Sequence, residues 1–174
     1  MKNNFVVVPF SEFKDKINRD DFDCGNNHLN DFIKTKASQY EKNNLAKFYL
    51  AKEESTNIIA GYYSLSASSV ELTNIPNEIT RKLPKHSKVP VALLGKLAVN
   101  KIYQGQGLGA FLLMDALDKI IKISSELGYF AVEVDAIDEI AKNFYSKYGF
   151  ESLLDDDKHM YITIKKLNKL LNYS

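Results

Sequence analysis

The sequence predicts one layered domain of mixed α/β class spanning residues 1–174. The length suits a single domain. A hydrophobic share of 45%, with ten Phe and ten Tyr, is enough for a sizeable core. Apolar runs of strand length outnumber segments of helical periodicity, and the helical segments interrupt them along the chain, which is typical of a sheet layered with helices.

The first half of the chain is predicted to contain three strands and one helix. Phe5–Val8 is a strand that Pro9 ends. Lys47–Glu53 and Asn57–Leu72 are two strands joined by a polar turn. Between the first and second strands, apolar side chains recur at helical spacing with Asn27 as a candidate N-cap: Leu29, Phe32, Ile33, Ala37 and Tyr40.

The second half begins with a basic connector punctuated by Pro76, Pro84 and Pro90, with a short helical piece at 77–83. Val91–Val99 is largely apolar, so we expect a strand buried on both faces. A helix should run from Gly107 to near Gly128. The elements that follow are a strand at 129–136, a helix at 138–149, a strand at 160–164 and a helical tail from Lys165.

Composition excludes several classes of protein. No window approaches the ~18 apolar residues of a membrane span, and the first apolar run is too short for a signal peptide. The single cysteine, Cys24, excludes an internal disulfide and a cysteine-built zinc site, and we expect it to be a small buried residue. Three histidines, His28, His86 and His159, are scattered along the chain. We therefore expect a cytoplasmic protein without a structural metal.

Charge is distributed unevenly although the formal net charge is only +1. No carboxylate occurs between Glu78 and Asp115, whereas six cations do: Arg81, Lys82, Lys85, Lys88, Lys96 and Lys101. A basic stretch without carboxylates favours an anionic ligand, because its positive potential is not cancelled locally. A lysine-rich solvated loop would give the same pattern.

A glycine-rich turn lies inside this basic stretch, between a predicted strand and a predicted helix. Its sequence is Gln104-Gly105-Gln106-Gly107-Leu108-Gly109. Bare amides at the start of a helix, together with the helix dipole, favour a phosphate. The spacing differs from a dinucleotide fingerprint and from a Walker loop. A tight strand-to-helix turn without a ligand would also explain the three glycines.

Two motifs resemble those of GNAT-type N-acetyltransferases. Gln104-x-x-Gly107-x-Gly109, preceded by "KLAV", is similar to that family's pyrophosphate loop, and Ala141–Phe150 is similar to its A-x-x-F-Y-x-x-x-G-F segment. The resemblance implies the GNAT fold, with a central, mixed, mostly antiparallel sheet that is splayed at the acetyl-CoA site and has helices on both faces.

The resemblance also implies an acetyl-CoA site without a metal. The loop residues Gln104, Gly105, Gln106, Gly107, Leu108 and Gly109 would hold the pyrophosphate. Backbone groups of Leu97, Ala98 and Val99 would pair with the pantetheine arm, and Phe144 is a further candidate contact. The family often has Asn where this chain has Asp138, and that carboxylate would repel phosphate.

Tyr145 is the candidate catalytic residue, placed in that role by its position in the second motif. A tyrosine hydroxyl can protonate the thiolate that leaves when an amine attacks a thioester; a core aromatic is the alternative. Glu133 and Asp135 are candidate bases or members of a carboxylate network. A base is dispensable for an α-amine, because its pKa of about 7.7–8 leaves a useful neutral fraction.

Three longer segments resemble one subfamily, the bacterial toxin acetyltransferases of toxin–antitoxin pairs. They are "FDCGNNHLNDFIKTKASQYEKN", "IIAGYYSLSASSVEL" and "LPKHSKVPVALLGKLAV". This resemblance implies acetylation of the α-amine of aminoacyl-tRNA, a ribbon-helix-helix antitoxin as partner, and a homodimer. The alternatives are a GNAT enzyme for a small amine or a protein N-terminus, and a CoA-binding module without turnover.

Basic residues are the expected contacts to tRNA, because affinity for nucleic acids comes mainly from Lys and Arg. The candidates are Arg81, Lys82, Lys85 and Lys96, with Lys88 beside them, and Lys34, Lys36, Lys42 and Lys47 as an extension on the first helix. The same lysines could instead attract the phosphates of CoA.

Overall fold

The computed structural model describes residues 4–85 and 87–172. Within them the strands are β1 (Phe5–Pro9), β2 (Lys47–Glu53), β3 (Ile59–Glu71), β4 (Lys88–Val99), β5 (Ala131–Asp135), β6 (Glu151–Ser152) and β7 (His159–Thr163). They form one mostly antiparallel sheet in the order β1-β2-β3-β4-β5-β7-β6. The predicted mixed α/β class is confirmed.

The helices are α1 (Phe10–Phe13), α2 (Asn27–Asp31), α3 (Ala37–Lys42), α4 (Asn77–Thr80), α5 (Leu108–Ser124), α6 (Glu139–Lys147) and α7 (Ile164–Leu170). A π-helical turn, Phe32–Lys36, joins α2 to α3. None of the described helices is long and apolar enough to span a membrane. The predicted helices are therefore present, although α5 ends at Ser124 before the expected Gly128.

The chain divides into two compact units, and the prediction of one domain over residues 1–174 stays a prediction. The first unit comprises the residues up to Ser66 together with Leu94–Asp118. In it β1, β2 and β3 pair antiparallel, with Val7 opposite Ala51 and Leu50 opposite Tyr62. Its core is rich in aromatic rings, which are Phe10, Phe22, Phe32, Phe48 and Tyr62. The buried Tyr62 hydroxyl donates to the Leu29 carbonyl oxygen at 2.8 Å, which attaches α2 to β3.

The second unit comprises Ala67–Leu93 and the residues from Lys119 onward. Its strand β7 pairs antiparallel with both β5 and β6, so Tyr161 lies opposite Glu133 on one side and Glu151 on the other. The core of this unit gathers residues from strands and from the connector, and its buried members are Val70, Ile75, Val89, Val91, Ala131, Leu153 and Tyr161. The connector is therefore packed on the unit through apolar side chains.

Two local predictions were wrong. The N-cap of α2 is Asn26, whose side chain accepts from the Leu29 amide at 3.1 Å, and not Asn27. The strand predicted to be buried on both faces is buried only in part: Val91 and Leu94 are buried, whereas Lys96 and Leu97 are half-buried. The apolar run therefore overstated the burial of the end of β4.

Candidate cofactor and catalytic site

The glycine-rich turn joins β4 to the start of α5. Gly105 has φ +74 and Gly107 has φ +84, a region that residues with a Cβ rarely adopt. No described heavy atom lies within 4 Å of the position that a Cβ would take on either glycine. Residues 104–107 are exposed, and the first turn of α5 carries no acidic residue. The turn therefore offers an open backbone cradle at a positive helix end, which suits a phosphate.

Leu108 and Gly109 begin the helix behind this cradle. Leu108 is buried, and the Phe111 amide donates to the Gly107 carbonyl at 3.1 Å, which closes the first helical turn. The first amides of a helix have no partner within it, so those that follow Gly107 are the donors a ligand would use. The Gln106 side chain turns away from the helix and donates to the Ile102 carbonyl at 3.1 Å.

The end of β4 carries the predicted pantetheine contacts. Ala98 is buried, whereas Leu97 and Val99 are half-buried. The Val99 carbonyl accepts from the Gln104 side chain at 2.9 Å. Beside this strand in the sheet lies β3, and a Cβ on its Gly61 would be 2.8 Å from the Ala98 carbonyl oxygen. The structure thus places the predicted strand and the predicted loop in one unit, joined by the Gln104 side chain.

Tyr145 lies on α6 and is 6% exposed. Its ring packs edge-on against Phe144 at 5.3 Å between centroids and tilted against Phe150 at 5.5 Å. Burial raises the pKa of the Tyr145 hydroxyl well above its ordinary value, so the hydroxyl stays protonated. A neutral phenol at this position can act as a proton donor. Phe144 itself is half-buried and packs on Tyr148 at 5.2 Å.

Asp138, the residue that departs from the family pattern, is the N-cap of α6. Its Oδ1 accepts from the Ala141 amide at 2.8 Å. A carboxylate at a helix N-terminus is stabilised by the helix dipole. Asp138 therefore has a structural role at the start of the helix that carries Tyr145.

The carboxylate that the sequence offered as a candidate base belongs to a network. Glu133 is buried, and its Oε1 lies 2.5 Å from Nε2 of His159, whose Nδ1 lies 2.8 Å from Asp155. Burial opposes protonation of His159, but the hydrogen bonds that its ring donates to Asp155 and Glu133 outweigh this effect, and its pKa is raised. The other candidate base, Asp135, is exposed at the end of β5. The geometry favours the network interpretation for Glu133.

The predicted tRNA contacts have different environments. Arg81, Lys82 and Lys85 are exposed on the connector, and no described residue of their unit forms an ion pair with them. Lys88, by contrast, pairs with Glu71 at 3.4 Å. Lys96 is half-buried, with its ammonium 4.8 Å from the centre of the Phe32 ring. The three exposed cations are therefore available to a phosphate-rich partner.

The basic residues proposed as an extension on the helix predicted after Asn27 also have different environments, and Lys47 lies at the start of β2 and not on a helix. Lys36 lies 6.0 Å from the Phe32 ring centre, and Lys47 is 3.9 Å from Glu41. Lys34 is half-buried, and Lys42 is exposed. Among these four, Lys42 alone is both exposed and outside the ring and ion-pair contacts given for the described residues.

Several residues around the site were missed or misjudged from the sequence. Cys24, expected to be buried, is half-buried, and burial raises the pKa of its thiol. The segment to which the glycine turn is attached lies 80 residues earlier in the chain, so no local pattern signals it. Within the described residues no group of three or more His, Cys, Asp or Glu side chains could hold a metal ion; His86 lies outside those residues.

An open phosphate cradle at the start of a helix, after a strand of a mostly antiparallel sheet, suits a ligand that carries phosphate groups, as CoA does. The family model described as acetyltransferase (GNAT) domain matches residues 44–152. The chain therefore belongs to the GNAT acetyltransferase family, and the resemblance stated from the two motifs is confirmed.

Two relatives are similar over most of their length. A probable toxin TacT of Sinorhizobium fredii is 27% identical over 157 residues, covering 86% of this chain and 87% of the relative. A tRNA-acetylating toxin of Mycobacterium tuberculosis is 29% identical over 150 residues, covering 86% and 88%.

Solved structures of similar proteins agree with the fold. A tyrosine-to-phenylalanine mutant of KacT has a TM-score of 0.89 at 26% identity, covering 95% of this chain and 98% of that one. AtaT complexed with acetyl-methionyl-tRNAfMet has the same TM-score and identity, covering 97% and 99%. An AtaT mutant bound to the C-terminus of the antitoxin AtaR and acetyl-CoA has a TM-score of 0.81 at 25% identity, covering 97% and 99%.

Proposed function

We propose that this chain transfers the acetyl group of acetyl-CoA to the α-amine of aminoacyl-tRNA and so blocks translation as the toxin of a toxin–antitoxin pair. The observation that carries the proposal is the open glycine cradle at the start of α5 in a chain of the GNAT family. The relatives named as toxins, one of them tRNA-acetylating, support the choice of substrate.

The residues present fit acetyl-CoA. Gly105 and Gly107 lack the Cβ that would otherwise occupy the open space beside the turn. The helix amides that follow them suit a phosphate. Acetyl-CoA supplies an activated thioester whose carbonyl carbon an amine can attack. Residues Gln104–Gly109 hold the pyrophosphate, and the backbone of Leu97, Ala98 and Val99 aligns the pantetheine arm.

Tyr145 is the general acid in this proposal. As the carbon–sulfur bond breaks, the tyrosine hydroxyl gives its proton to the departing sulfur, and the tyrosinate takes a proton back from solvent before the next turnover. The raised pKa of Tyr145 keeps that proton on the oxygen until it is needed. The attacking α-amine is already partly neutral at physiological pH and loses its second proton to water, so no carboxylate is required as a base.

The tRNA is held through its phosphates in this proposal. Arg81, Lys82 and Lys85 are exposed cations without ion pairs to the described residues of their unit, and Lys96 adds a fourth positive charge. Such contacts raise affinity without reading sequence. We further propose a homodimer, a ribbon-helix-helix antitoxin as partner and a cytoplasmic location. The AtaT structure with part of its antitoxin supports an antitoxin partner.

The experiment is transfer of labelled acetyl from acetyl-CoA to charged tRNA, with uncharged tRNA and a panel of small amines in parallel. Label on charged tRNA alone, absent in Tyr145→Phe, is the expected result. Label on small amines and none on tRNA would move the protein to the small-amine alternative. No transfer to any acceptor would favour the other alternative, a CoA-binding module without turnover.

A further inference from the structure

The side chain of Gln104 connects the glycine turn to the nearby end of β4 and to a stretch of chain 80 residues earlier. Its Nε2 donates to the Val99 carbonyl at 2.9 Å and to the Cys24 carbonyl at 3.0 Å. Both hydrogens of the amide are therefore used, one on the last residue of β4 and the other on the segment that precedes α2. The side chain of Gln104 therefore fixes the position of a residue whose backbone is expected to contact phosphate.

Asn30 holds the backbone of Cys24 at its N–H group. Asn30 is 8% exposed, and its Oδ1 accepts from the Cys24 amide at 2.9 Å while its Nδ2 donates to Asp23 Oδ1 at 2.9 Å. The Cys24 backbone is therefore held between Asn30 at its N–H and Gln104 at its C=O. A continuous chain of hydrogen bonds runs from the buried Asn30 to the turn.

Asp23 binds Lys101, the first residue of the stretch that leads into the turn. The Lys101 amide donates to the Asp23 carbonyl at 2.8 Å, and the Lys101 ammonium lies 2.8 Å from Asp23 Oδ2. The hydrogen bond from Lys101 holds the pKa of Asp23 at about 2, so the carboxylate is charged at any physiological pH. Asp23 Oδ1 also accepts from the Gly25 amide at 2.8 Å.

These contacts contribute more to position than to stability. Lys101, Gln104 and the Asp23 carboxylate are exposed or half-exposed, and exposed pairs of this kind stabilise a fold by little. The turn they hold contains two glycines with positive φ, whose backbone is otherwise free to adopt many conformations. Fixing such a turn before the ligand arrives lowers the entropy cost of binding.

We propose that Asp23, Asn30, Lys101 and the Gln104 side chain form a supporting hydrogen-bond network. This network preorganises the Gln104–Gly109 turn for the pyrophosphate of acetyl-CoA. Asp23 and Asn30 are positioning residues, since they act through the turn and not on the ligand. The inference rests on the proposed function for the identity of the ligand, but it concerns binding and not acetyl transfer.

The test is calorimetric binding of CoA and of its pyrophosphate-bearing half, 3′-phosphoadenosine 5′-diphosphate, to Gln104→Met and Asn30→Ala. Methionine keeps the length of Gln104 but cannot donate. We expect the Kd of both ligands to rise about tenfold in Gln104→Met. Without these hydrogen bonds the turn must be ordered when the ligand binds, at a free-energy cost of about one hydrogen bond. The melting temperature should change by less than about 2 °C.

Matched controls come from the same unit. Gln39→Met alters an exposed glutamine of α3, and Asn18→Ala removes an exposed asparagine whose side chain bonds, among the described residues, to Asp21 and the Asp20 amide. Both controls should bind as the wild type does. Because Asn30 is buried, its variant is interpreted only if it melts cooperatively; Gln104→Met carries the test alone otherwise.

Three outcomes decide the matter. Loss of affinity for both ligands by the same factor supports the proposed network, because the loss then lies in the pyrophosphate half that the two ligands share. Unchanged affinity in Gln104→Met overturns it. A smaller combined effect in the double variant than the product of the single effects also supports it, because both residues act through Cys24. Failure of the wild type to acetylate tRNA would overturn the proposed function while leaving these binding results intact.

Discussion

A Cβ on Gly61 would lie 2.8 Å from the carbonyl oxygen of Ala98. It would also lie 2.8 Å from a methyl carbon of Leu112 on α5. Gly61 therefore allows β3 to approach both the strand and the helix that flank the glycine turn. The backbone oxygen cannot rotate away as a flexible side chain would, so the close approach depends on the missing side chain.

Gly61→Ala should consequently destabilise the protein and disturb the cofactor strand. Overpacking of this kind costs about 1–3 kcal/mol in free energy of unfolding. Urea denaturation measures the loss, and calorimetry with CoA should show weaker binding in the folded variant. Gly128→Ala is the control, because a Cβ there meets nothing within 4 Å among the described residues. Equal stability of the wild type and Gly61→Ala would show that β4 can move away freely.

Tyr145→Phe tests the general acid directly. The variant keeps the ring contacts with Phe144 and Phe150 and removes only the hydroxyl, so the fold should be preserved. Loss of a general acid costs about 100- to 10,000-fold in rate. We expect the rate constant of single-turnover acetyl transfer to fall by a factor in that range. The Kd for acetyl-CoA should stay within about twofold of the wild type.

Tyr148→Phe is the matched control for this prediction, since Tyr148 also packs on the Phe144 ring and is half-buried. Its rate should be close to that of the wild type. A Tyr145→Phe enzyme with full turnover would remove the hydroxyl from the mechanism and leave Tyr145 as a core aromatic.

The periodicity of the chain predicted its strands and helices well, because apolar alternation and turn residues are local signals. Two motifs likewise placed the Gln104–Gly109 turn and Tyr145 on the right elements. The closeness of Gly61 to Ala98, and of Asn30 to the turn, could not be predicted in this way. Such contacts depend on which strands lie side by side, and pairing of distant segments leaves no spacing rule in the sequence.

The same limit explains the histidine network. Glu133, Asp155 and His159 come from β5, the β6–β7 loop and β7, and each taken alone is an ordinary polar residue. Only the pairing of Asp135 with His159 across β5 and β7 brings the ring beside the Glu133 carboxylate. The sequence therefore offered Glu133 as a base, and the fold gives it a different partner.

Replacing Arg81, Lys82 and Lys85 together by Ala should weaken the use of tRNA without changing acetyl-CoA binding. Each cation–phosphate interaction that the substitutions remove should reduce the salt dependence of tRNA affinity by roughly 0.7–0.9 in the log–log slope. The measurement is the Kd for charged tRNA over a range of salt concentrations, beside calorimetry with acetyl-CoA.

The control for this triple variant removes three exposed cations elsewhere in the same unit, Lys147, Lys165 and Lys169. The net charge then changes by the same amount. If both triple variants lose tRNA affinity equally, the connector provides general attraction and no specific contact. If acetyl-CoA binding falls with tRNA binding in the first variant, the connector serves the donor or the fold.

The last prediction concerns pH and the His159 network. His159 has a raised pKa in the folded protein, so its contribution to stability is fully present below its unfolded value of about 6.5 and is lost as the pH rises through the raised value. Asp155 has a lowered pKa: burial opposes its ionisation, but the hydrogen bond from His159 outweighs that effect. Its contribution is present above about pH 3.9 and is lost as the pH falls through the lowered value.

Together the two groups should stabilise the protein most between about pH 4 and about pH 6.5. His159→Gln should therefore flatten the decline in free energy of unfolding that the wild type shows above that window. Urea denaturation across roughly pH 4 to 9 gives both curves. His28→Gln, which alters an exposed histidine of α2, is the control for the loss of one imidazole elsewhere in the chain. Parallel curves for the wild type and His159→Gln would mean that His159 binds protons equally in the folded and unfolded protein, and would remove the network from the pH dependence of stability.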